Sequence, residues 1–210
     1  MDFGNVIKSV DDLFNDILNI KEKPSTKKQP DKANSQLSNY QEKYLEDNFD
    51  GKWQNPIRGT YYNSGAYQQP DEKHAGVHNG VDLRAAGGTD IYPIAPGFVE
   101  NVAAWDKGGN IVTILHPYGV RVYMAHLGTI NVKSGDFVSK DTIIGTIGDS
   151  GNAGKYGTYP HIHLEIKVNG SLVDPGKFVY VPPYTNFDKN KEKAWLSEDH
   201  KQQARSFKLV

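Results

Sequence analysis

The sequence predicts a mainly β protein, in which an antiparallel β core is flanked by an N-terminal helical arm and a charged C-terminal tail. Between Gly51 and Pro183, short apolar and β-branched runs alternate with Gly, Asn, Asp and Pro turns. No long helical segment separates these runs, which favours antiparallel over parallel pairing. On both sides of this stretch the composition turns polar and charged.

Five runs within this central stretch have the length and residue types of β-strands. They are Gly97–Trp105, Asn110–His116, Val120–His126, Thr142–Ile147 and His161–Val168. We therefore assign residues 51–183 to one folded domain.

The flanking segments differ from this domain and from one another. Residues 1–20 place apolar side chains at helical spacing among acids and asparagines, as in an amphipathic helix. Residues 21–36 are rich in Pro, Lys and Ser and are interpreted as a linker. Residues 37–50 form a second predicted helical segment, and residues 184–210 a C-terminal arm.

Composition excludes several classes of protein. The 210 residues carry a formal net charge of −1, without the basic excess that nucleic-acid binding requires. Because the chain has no cysteine, disulfides, thiolate metal sites and cysteine nucleophiles are excluded. No apolar run is long enough to span a bilayer, and the acid-rich N-terminus is unlike a secretory signal. A bound metal would therefore be held by histidine and carboxylate.

The segment PHIHLEIKV contains the clearest candidate for chemistry. Strand alternation places Ile162 and Leu164 on an apolar core face, and His161, His163 and Glu165 on the other face. Two imidazoles then project together from the sheet. The alternative is a polar strand face that only meets solvent.

Two further histidines complete a set. His78 and Asp82, separated by four residues around Gly80, lie on the same side of an extended or a helical backbone, and such a pair is common at zinc sites. His126 ends a predicted strand. For each motif alone, ordinary hydrogen bonding or exposure is the alternative. Together, however, His78, Asp82 and one histidine of the PHIH pair give three ligands and leave a fourth zinc position for water, as in catalytic sites.

Three segments, in order, resemble the lysostaphin-type zinc endopeptidases. HNGVDLRAAGGTDIYPIAPGFV is similar to the family's His-x-Gly-x-Asp segment and the turn after it. VRVYMAHLGTINVKSGDFVSKDTIIGTIGDSG is similar to its Tyr-x-His-Leu segment and following hairpin, and PHIHLEIKVNG to its Pro-His-Leu-His-Phe-Glu strand. The resemblance runs from about His78 to Pro175.

This resemblance implies that His78, Asp82 and His163 bind Zn²⁺ and that His126 and His161 are catalytic. It also implies a barrel-sandwich-like antiparallel core with a groove formed by loops, and peptidoglycan stem peptides or cross-bridges as substrate. One unligated imidazole would take a proton from water and pass it to the leaving amine, while the other hydrogen-bonds the oxyanion. The sequence leaves open which histidine has which role.

Two departures from the family's pattern bear on specificity. The loop Asn152–Tyr159 before the PHIH strand is longer than the family's usual loop, which walls the groove. The tyrosine that some members carry shortly before the first zinc histidine is missing, so Tyr61, Tyr62 or Tyr67 would have to reach the site by another path. His74 is interpreted as an exposed loop residue, His116 as a surface residue at a strand end, and His200 as part of the C-terminal arm.

Other functions compete with an endopeptidase. A non-catalytic wall-binding or structural module would keep the fold, and SGDFVSKDTIIG resembles the hairpin of biotinyl or lipoyl carrier domains. No lysine stands at a tight hairpin tip, however, and a carrier has no use for the His/Asp set. A D-alanyl-D-alanine carboxypeptidase would need an ExxH element that is missing.

The flanking segments predict the biological setting. Without a recognisable signal, a wall hydrolase reaches the wall in a phage particle or after release during host lysis. The apolar stripe of residues 1–20 needs a surface to bury it, and packing on the β domain is the alternative. We therefore expect a virion (tail) location, with a phage structural protein as the partner of this helix.

Overall fold

A computed structural model describes residues 32–71, 76–155 and 159–184 of the chain. Its helices are α1 (Lys32–Asp47) and α2 (Asn152–Lys155), with short 3-10 turns at Pro117–Gly119 and Pro175–Lys177. Its strands are β1 (Tyr62–Gly65), β2 (Pro70–Asp71), β3 (Gly76–Val77), β4 (Val81–Arg84), β5 (Asp90–Ile91), β6 (Gly97–Trp105), β7 (Gly109–His116), β8 (Val120–Ile130), β9 (Phe137–Val138), β10 (Gly145–Ile147), β11 (His161–Val168) and β12 (Ser171–Val173).

Within these described residues, ten strands form one open sheet. The strand order along its main path is β1-β4-β11-β8-β7-β6-β9. Outside this path, β12 pairs with β11, and β10 pairs with both β5 and the second half of β8. The ladders between these strands are antiparallel, and β2 with β3 makes a separate antiparallel ribbon. The mainly β, antiparallel fold class is thus confirmed.

The observed bounds of the five predicted strands match the prediction except where pairing with another strand lengthens or shortens a strand. β6 and β11 have the predicted bounds, and β7 begins one residue early. β8 does not end at His126 as predicted but continues to Ile130. Its second half stays extended because it pairs with β10. β10 covers only the end of the predicted run Thr142–Ile147.

The core lies against one face of the sheet, here called the inner face. Apolar residues of the central strands alternate onto it, among them Leu83, Ile114, Met124, Ile162 and Leu164. Segments outside the main path cover them from the other side with Ile57, Ile91, Ile94, Ile144 and Phe178. The opposite, outer face carries Asp82, His163, Glu165 and Tyr123, which register places side by side. Packing on one face therefore leaves the other free for chemistry.

Helix α1 begins inside the segment interpreted as a linker and packs on the sheet. Leu45 is fully buried. The Tyr44 ring lies 6.0 Å from Phe98 and 5.8 Å from Phe137, measured between centroids. Phe98 pairs with Leu115 in the β6–β7 ladder, and neighbouring residues of these strands face the core, so this contact is on the outer face. The end of the segment 37–50 thus packs against the β sheet.

His116 is not a surface residue, contrary to the interpretation of the sequence. It is fully buried, its Nδ1–H donates to the carbonyl of Pro96 at 3.1 Å, and its ring meets Trp53 edge-on. Strand alternation places it with Ile114 on the inner face, and Trp53 covers the strand end that the sequence suggested to be open.

Several predictions fall outside the described residues. They concern the amphipathic helix of residues 1–20, most of the linker, the C-terminal arm after residue 184, His74 and His200. No helix within the described ranges is long and apolar enough to cross a membrane. The domain boundaries stay predictions.

Candidate active site

Strand register brings the predicted metal ligands together. In the β4–β11 ladder Asp82 lies directly opposite His163, so both side chains project from the outer face. His78 precedes β4 and reaches the same place through a turn at Gly80. That turn packs so closely on Leu164 that a Cβ at Gly80 would overlap the Leu164 carbonyl. One antiparallel pair and one tight turn assemble all three side chains.

The three donor atoms form a nearly equilateral triangle. His78 Nε2 lies 3.0 Å from His163 Nδ1, and Asp82 Oδ1 lies 3.0 Å from His163 Nδ1 and 3.2 Å from His78 Nε2. Around tetrahedral zinc, with ligands at about 2.0–2.1 Å, neighbouring donor atoms are about 3.3 Å apart. The group therefore fits one zinc ion and leaves a fourth coordination position for water or substrate.

Hydrogen bonds on the far side of each ring set its orientation. His78 Nδ1–H donates to the carbonyl of Ala66 at 3.1 Å, and His163 Nε2–H donates to Glu165 Oε1 at 3.1 Å. When a cation replaces any proton on the other ring nitrogen of each histidine, the lone pair of that nitrogen points into the triangle, as ligation requires. Strand alternation predicted Glu165 on this face but no role for it; its spacing of two residues from His163 was the available signal.

The triangle attracts positive charge. Burial raises the pKa of Asp82, but hydrogen bonds from His163 and His78 outweigh this and hold the pKa well below its ordinary value. Burial lowers the pKa of His163, yet its hydrogen bonds with Asp82 and Glu165 raise the pKa to about 9. An electronegative centre of this kind suits a cation.

The two predicted catalytic histidines lie beside this triangle. The ring centroids of His126 and His161 are 4.9 Å apart, and His126 is 6.4 Å from His163. His126 Nδ1–H donates to the carbonyl of Ser150 at 2.9 Å, and His161 Nδ1–H to that of Tyr159 at 2.8 Å. His161 Nε2 lies 4.0 Å from Asp82 Oδ1. His161 Nε2 is thus farther than His163 Nδ1 from the Asp82 carboxylate.

Both of these imidazoles are neutral near pH 7. Burial, with a smaller contribution from the neighbouring His161, lowers the pKa of His126 to about 4. Burial also lowers the pKa of His161. Since each Nδ1–H is held by a carbonyl, each Nε2 carries a free lone pair. The arrangement supplies two proton acceptors next to a candidate zinc site.

Comparison with known proteins places the candidate site within a stretch that matches one peptidase family. Residues 76–175, which contain all five predicted site residues, match peptidase family M23. This chain contains a peptidase family M23 domain. M23 peptidases are zinc metallo-endopeptidases, and the His/Asp triangle of this M23 domain is consistent with that metal.

Curated relatives of the M23 domain include two bacterial peptidases. Lysostaphin of Staphylococcus staphylolyticus is 37% identical over 99 residues, which cover 46% of this chain and 20% of the relative. The peptidoglycan DD-endopeptidase ShyA of Vibrio cholerae is 36% identical over 108 residues, covering 51% of this chain and 24% of ShyA. The chain thus spans only a fifth to a quarter of the length of these relatives.

A solved structure shows the same fold. The zinc-containing peptidase from Vibrio cholerae superposes with a TM-score of 0.54 at 26% identity, over 62% of this chain and 41% of that one.

The three tyrosines considered from the sequence lie in different places. Tyr61 is buried, and its hydroxyl donates to the carbonyl of Tyr180 at 2.7 Å, which excludes it from the site. Tyr67 packs against the core. Tyr62 pairs with Arg84 on β4, and Arg84 pairs with His161 on β11. Register therefore places Tyr62, Arg84 and His161 in one row across three neighbouring strands. Of the three, Tyr62 is thus the one that register places on the outer face, where Tyr123 also lies with its ring 6.4 Å from that of His163.

Proposed function

We propose that this chain is a zinc-dependent endopeptidase that hydrolyses peptide bonds in bacterial peptidoglycan, in a stem peptide or a cross-bridge. The observation that carries the proposal is the triangle of His78, Asp82 and His163 next to the imidazoles of His126 and His161. The substrate class is supported by ShyA, which is named a peptidoglycan DD-endopeptidase.

In this proposal His78 Nε2, Asp82 Oδ1 and His163 Nδ1 hold the metal. Zinc, when bound, polarises a carbonyl oxygen and lowers the pKa of water from 15.7 to about 7. Glu165 and the Ala66 carbonyl keep the two ligating rings in the required tautomers.

The free Nε2 atoms of His126 and His161 define what the imidazoles do. Either accepts a proton from the attacking water at Nε2 and afterwards donates it to the leaving amine. In the tautomer held by Ser150 and Tyr159, neither Nε2 donates a hydrogen bond until it has taken up a proton. The imidazole that stabilises the oxyanion must therefore be protonated first, and the Tyr62 hydroxyl is the alternative donor on this face.

The phage setting is a separate part of the proposal. We propose that the chain acts in a virion (tail), where it opens the wall locally, with release during lysis as the alternative. The apolar stripe of residues 1–20 supports it, since such a stripe needs a surface that buries it. Proteomic detection in purified virions supports the tail location, and absence from them while present in the lysate overturns it.

The test is digestion of purified peptidoglycan by the full chain, with mass spectrometry of the released fragments. Directly cross-linked and glycine-bridged walls are compared as substrates. The new amino termini of the released fragments identify the peptide bond that is cut. The wild type should contain about one zinc per chain and lose activity when a chelator removes it. His163→Ala should lose zinc and activity together.

Variants of the two unligated histidines separate ligation from catalysis. His126→Ala and His161→Ala should each retain zinc and lose about 10²–10⁴-fold in rate. Loss of zinc from His161→Ala with retention in His163→Ala would mean that their roles are exchanged. A zinc-loaded wild type that binds both walls without releasing any fragment would contradict the enzyme and favour a wall-binding module.

A further inference from the structure

Strand β8 contains a bulge at His126. Between the pairs Asn110–Leu127 and Val112–Met124, β7 has one residue and β8 has two. His126 has a φ of 65°, in the left-handed region that residues with a Cβ rarely adopt. Such a backbone persists only where surrounding contacts hold it.

The bulge places His126 on the outer face. In a regular strand, alternation would put it with Val122 and Met124, which are fully buried on the inner face. The extra residue turns the imidazole to the other side, where its ring lies next to that of His161. The position of one proposed catalytic group therefore depends on a backbone irregularity.

The Ser150 side chain, from the turn after β10, stabilises the bulge through hydrogen bonds. Its hydroxyl donates to the carbonyl of Leu127 at 2.8 Å and accepts from the backbone N–H of Asn110 at 2.9 Å. The amide of Asn110 donates to the carbonyls of Leu127 and Gly128 at 3.0 and 3.2 Å. The carbonyls that directly follow His126 are thus held by two side chains from other segments.

Glycines let these segments approach closely. A Cβ at Gly109 would overlap Ser150, and a Cβ at Gly151 would overlap the backbone of Gly109. The backbone N–H of His126 donates to the carbonyl of Gly108 at 2.8 Å. The β6–β7 hairpin tip, the bulge and the turn after β10 therefore form one hydrogen-bonded unit.

We propose that Ser150, together with Asn110, is a positioning residue for His126. Its hydroxyl fixes the bulge, and its backbone carbonyl, held in place by the same turn, accepts the His126 Nδ1–H and so leaves Nε2 as the free nitrogen. The Ser150 side chain does not touch the His126 ring and acts through the backbone. The expected effect on rate rests on the proposed function, whereas the effect on the tautomer does not.

The test measures the tautomer and the rate of the zinc-loaded full chain. At pH 8, ¹⁵N NMR of the imidazole rings should show His126 of the wild type as a single Nδ1–H tautomer. In Ser150→Ala and Asn110→Ala, the Nε2–H form should appear. kcat on a soluble peptidoglycan fragment should fall by at least about 10-fold while KM and zinc content stay constant, since small displacements of reacting groups are costly.

Matched variants complete the design. Ser150→Thr keeps the hydroxyl and should restore the tautomer and most of kcat. Ser139→Ala removes a hydroxyl from an exposed turn, where it pairs only with Thr142 at 3.2 Å, and should change neither readout. If Ser150→Ala fails to fold, Asn110→Ala carries the same expectation. A wild-type tautomer in the folded variants, or a changed tautomer with an unchanged kcat, overturns the proposal. An inactive wild type overturns the proposed function and leaves the tautomer test intact.

Discussion

Gly65 lies where the backbone of β1 passes closest to the candidate metal ligands. A Cβ at this position would overlap the Asp82 carboxylate and come within 3.0 Å of His78 Cε1. Its backbone is not in the left-handed region, so the side chain alone makes the difference between glycine and alanine. No motif in the sequence pointed to this residue, because its proximity to Asp82 comes from the β1–β4 pairing.

We expect Gly65→Ala to weaken zinc binding by about 10–100-fold, the range seen when groups that orient metal ligands are altered. Competition with a chromophoric chelator measures the affinity. Gly87→Ala is the matched control, since a Cβ there would meet only Pro160 at an ordinary 3.5 Å. Equal zinc affinity in both variants would show that Asp82 has room to move without loss of the site.

His116 makes the stability depend on pH. Burial lowers its pKa to about 4 in the folded state, whereas an unfolded histidine titrates near 6.5. Below pH 6.5 the unfolded state therefore binds a proton that the folded state does not. Stability falls as the pH drops from about 6.5 towards 4, by on the order of 2 kcal/mol between pH 7 and pH 5.

Urea unfolding at pH 7 and pH 5 tests this expectation. His116→Asn keeps a donor for the Pro96 carbonyl but does not titrate in this range, so it should lose that part of the pH dependence. If the free energy of unfolding of both proteins falls equally, other groups cause the effect and the burial of His116 does not.

At the scale of elements, helix α1 is the part whose role the sequence predicted least well. Its polar composition suggested an arm, yet Leu45 is fully buried and Tyr44 packs on Phe98 and Phe137. Within residues 40–47, where the side chains of α1 are described, Leu45 and Tyr44 make these contacts and Tyr40 is exposed. The contacts nevertheless cover the end of the outer face away from the candidate metal site.

Leu45→Ala should lower the free energy of unfolding by about 2–5 kcal/mol, as expected for the loss of a fully buried leucine side chain. Denaturant unfolding measures the change. Tyr40→Ala in the same helix is the control; because Tyr40 is 73% exposed, its loss should change stability by less than about 0.5 kcal/mol. Equal stability of the two variants would mean that α1 is not docked.

At the scale of the whole molecule, the contacts of α1 separate the chain into dispensable and required parts. A protein lacking residues 1–31 should retain zinc, stability and activity on purified peptidoglycan. A protein lacking residues 1–50 should be less stable, because it loses Leu45 and also Phe49, whose ring lies 4.9 Å from that of Trp53. Thermal unfolding and zinc content of the two truncated proteins make the comparison.

Two results would contradict this expectation. If the shorter protein is as stable and active as the longer one, α1 is an arm, as its sequence suggested. If removal of residues 1–31 abolishes activity on isolated wall in a folded protein, the N-terminal region shapes the groove and does not serve delivery.

The sequence by itself determined the β class, the bounds of β6 and β11, those of β7 to within one residue, and the residues of the candidate site. These properties are local or carried by motifs: alternation fixes which side chains of β11 share a face, and the three segments in order carried the resemblance to the lysostaphin-type family. The register of β4 against β11 then brings Asp82 to His163 as that resemblance implied.

Only the tertiary structure decided the features that depend on two segments meeting. The bulge that turns His126 to the outer face arises because β8 pairs with β7, β10 and β11 at once. The burial of His116 depends on Trp53, and the constraint on Gly65 depends on Asp82. Alternation and composition describe each segment alone, whereas register shifts and burial result from contacts between residues far apart in the chain.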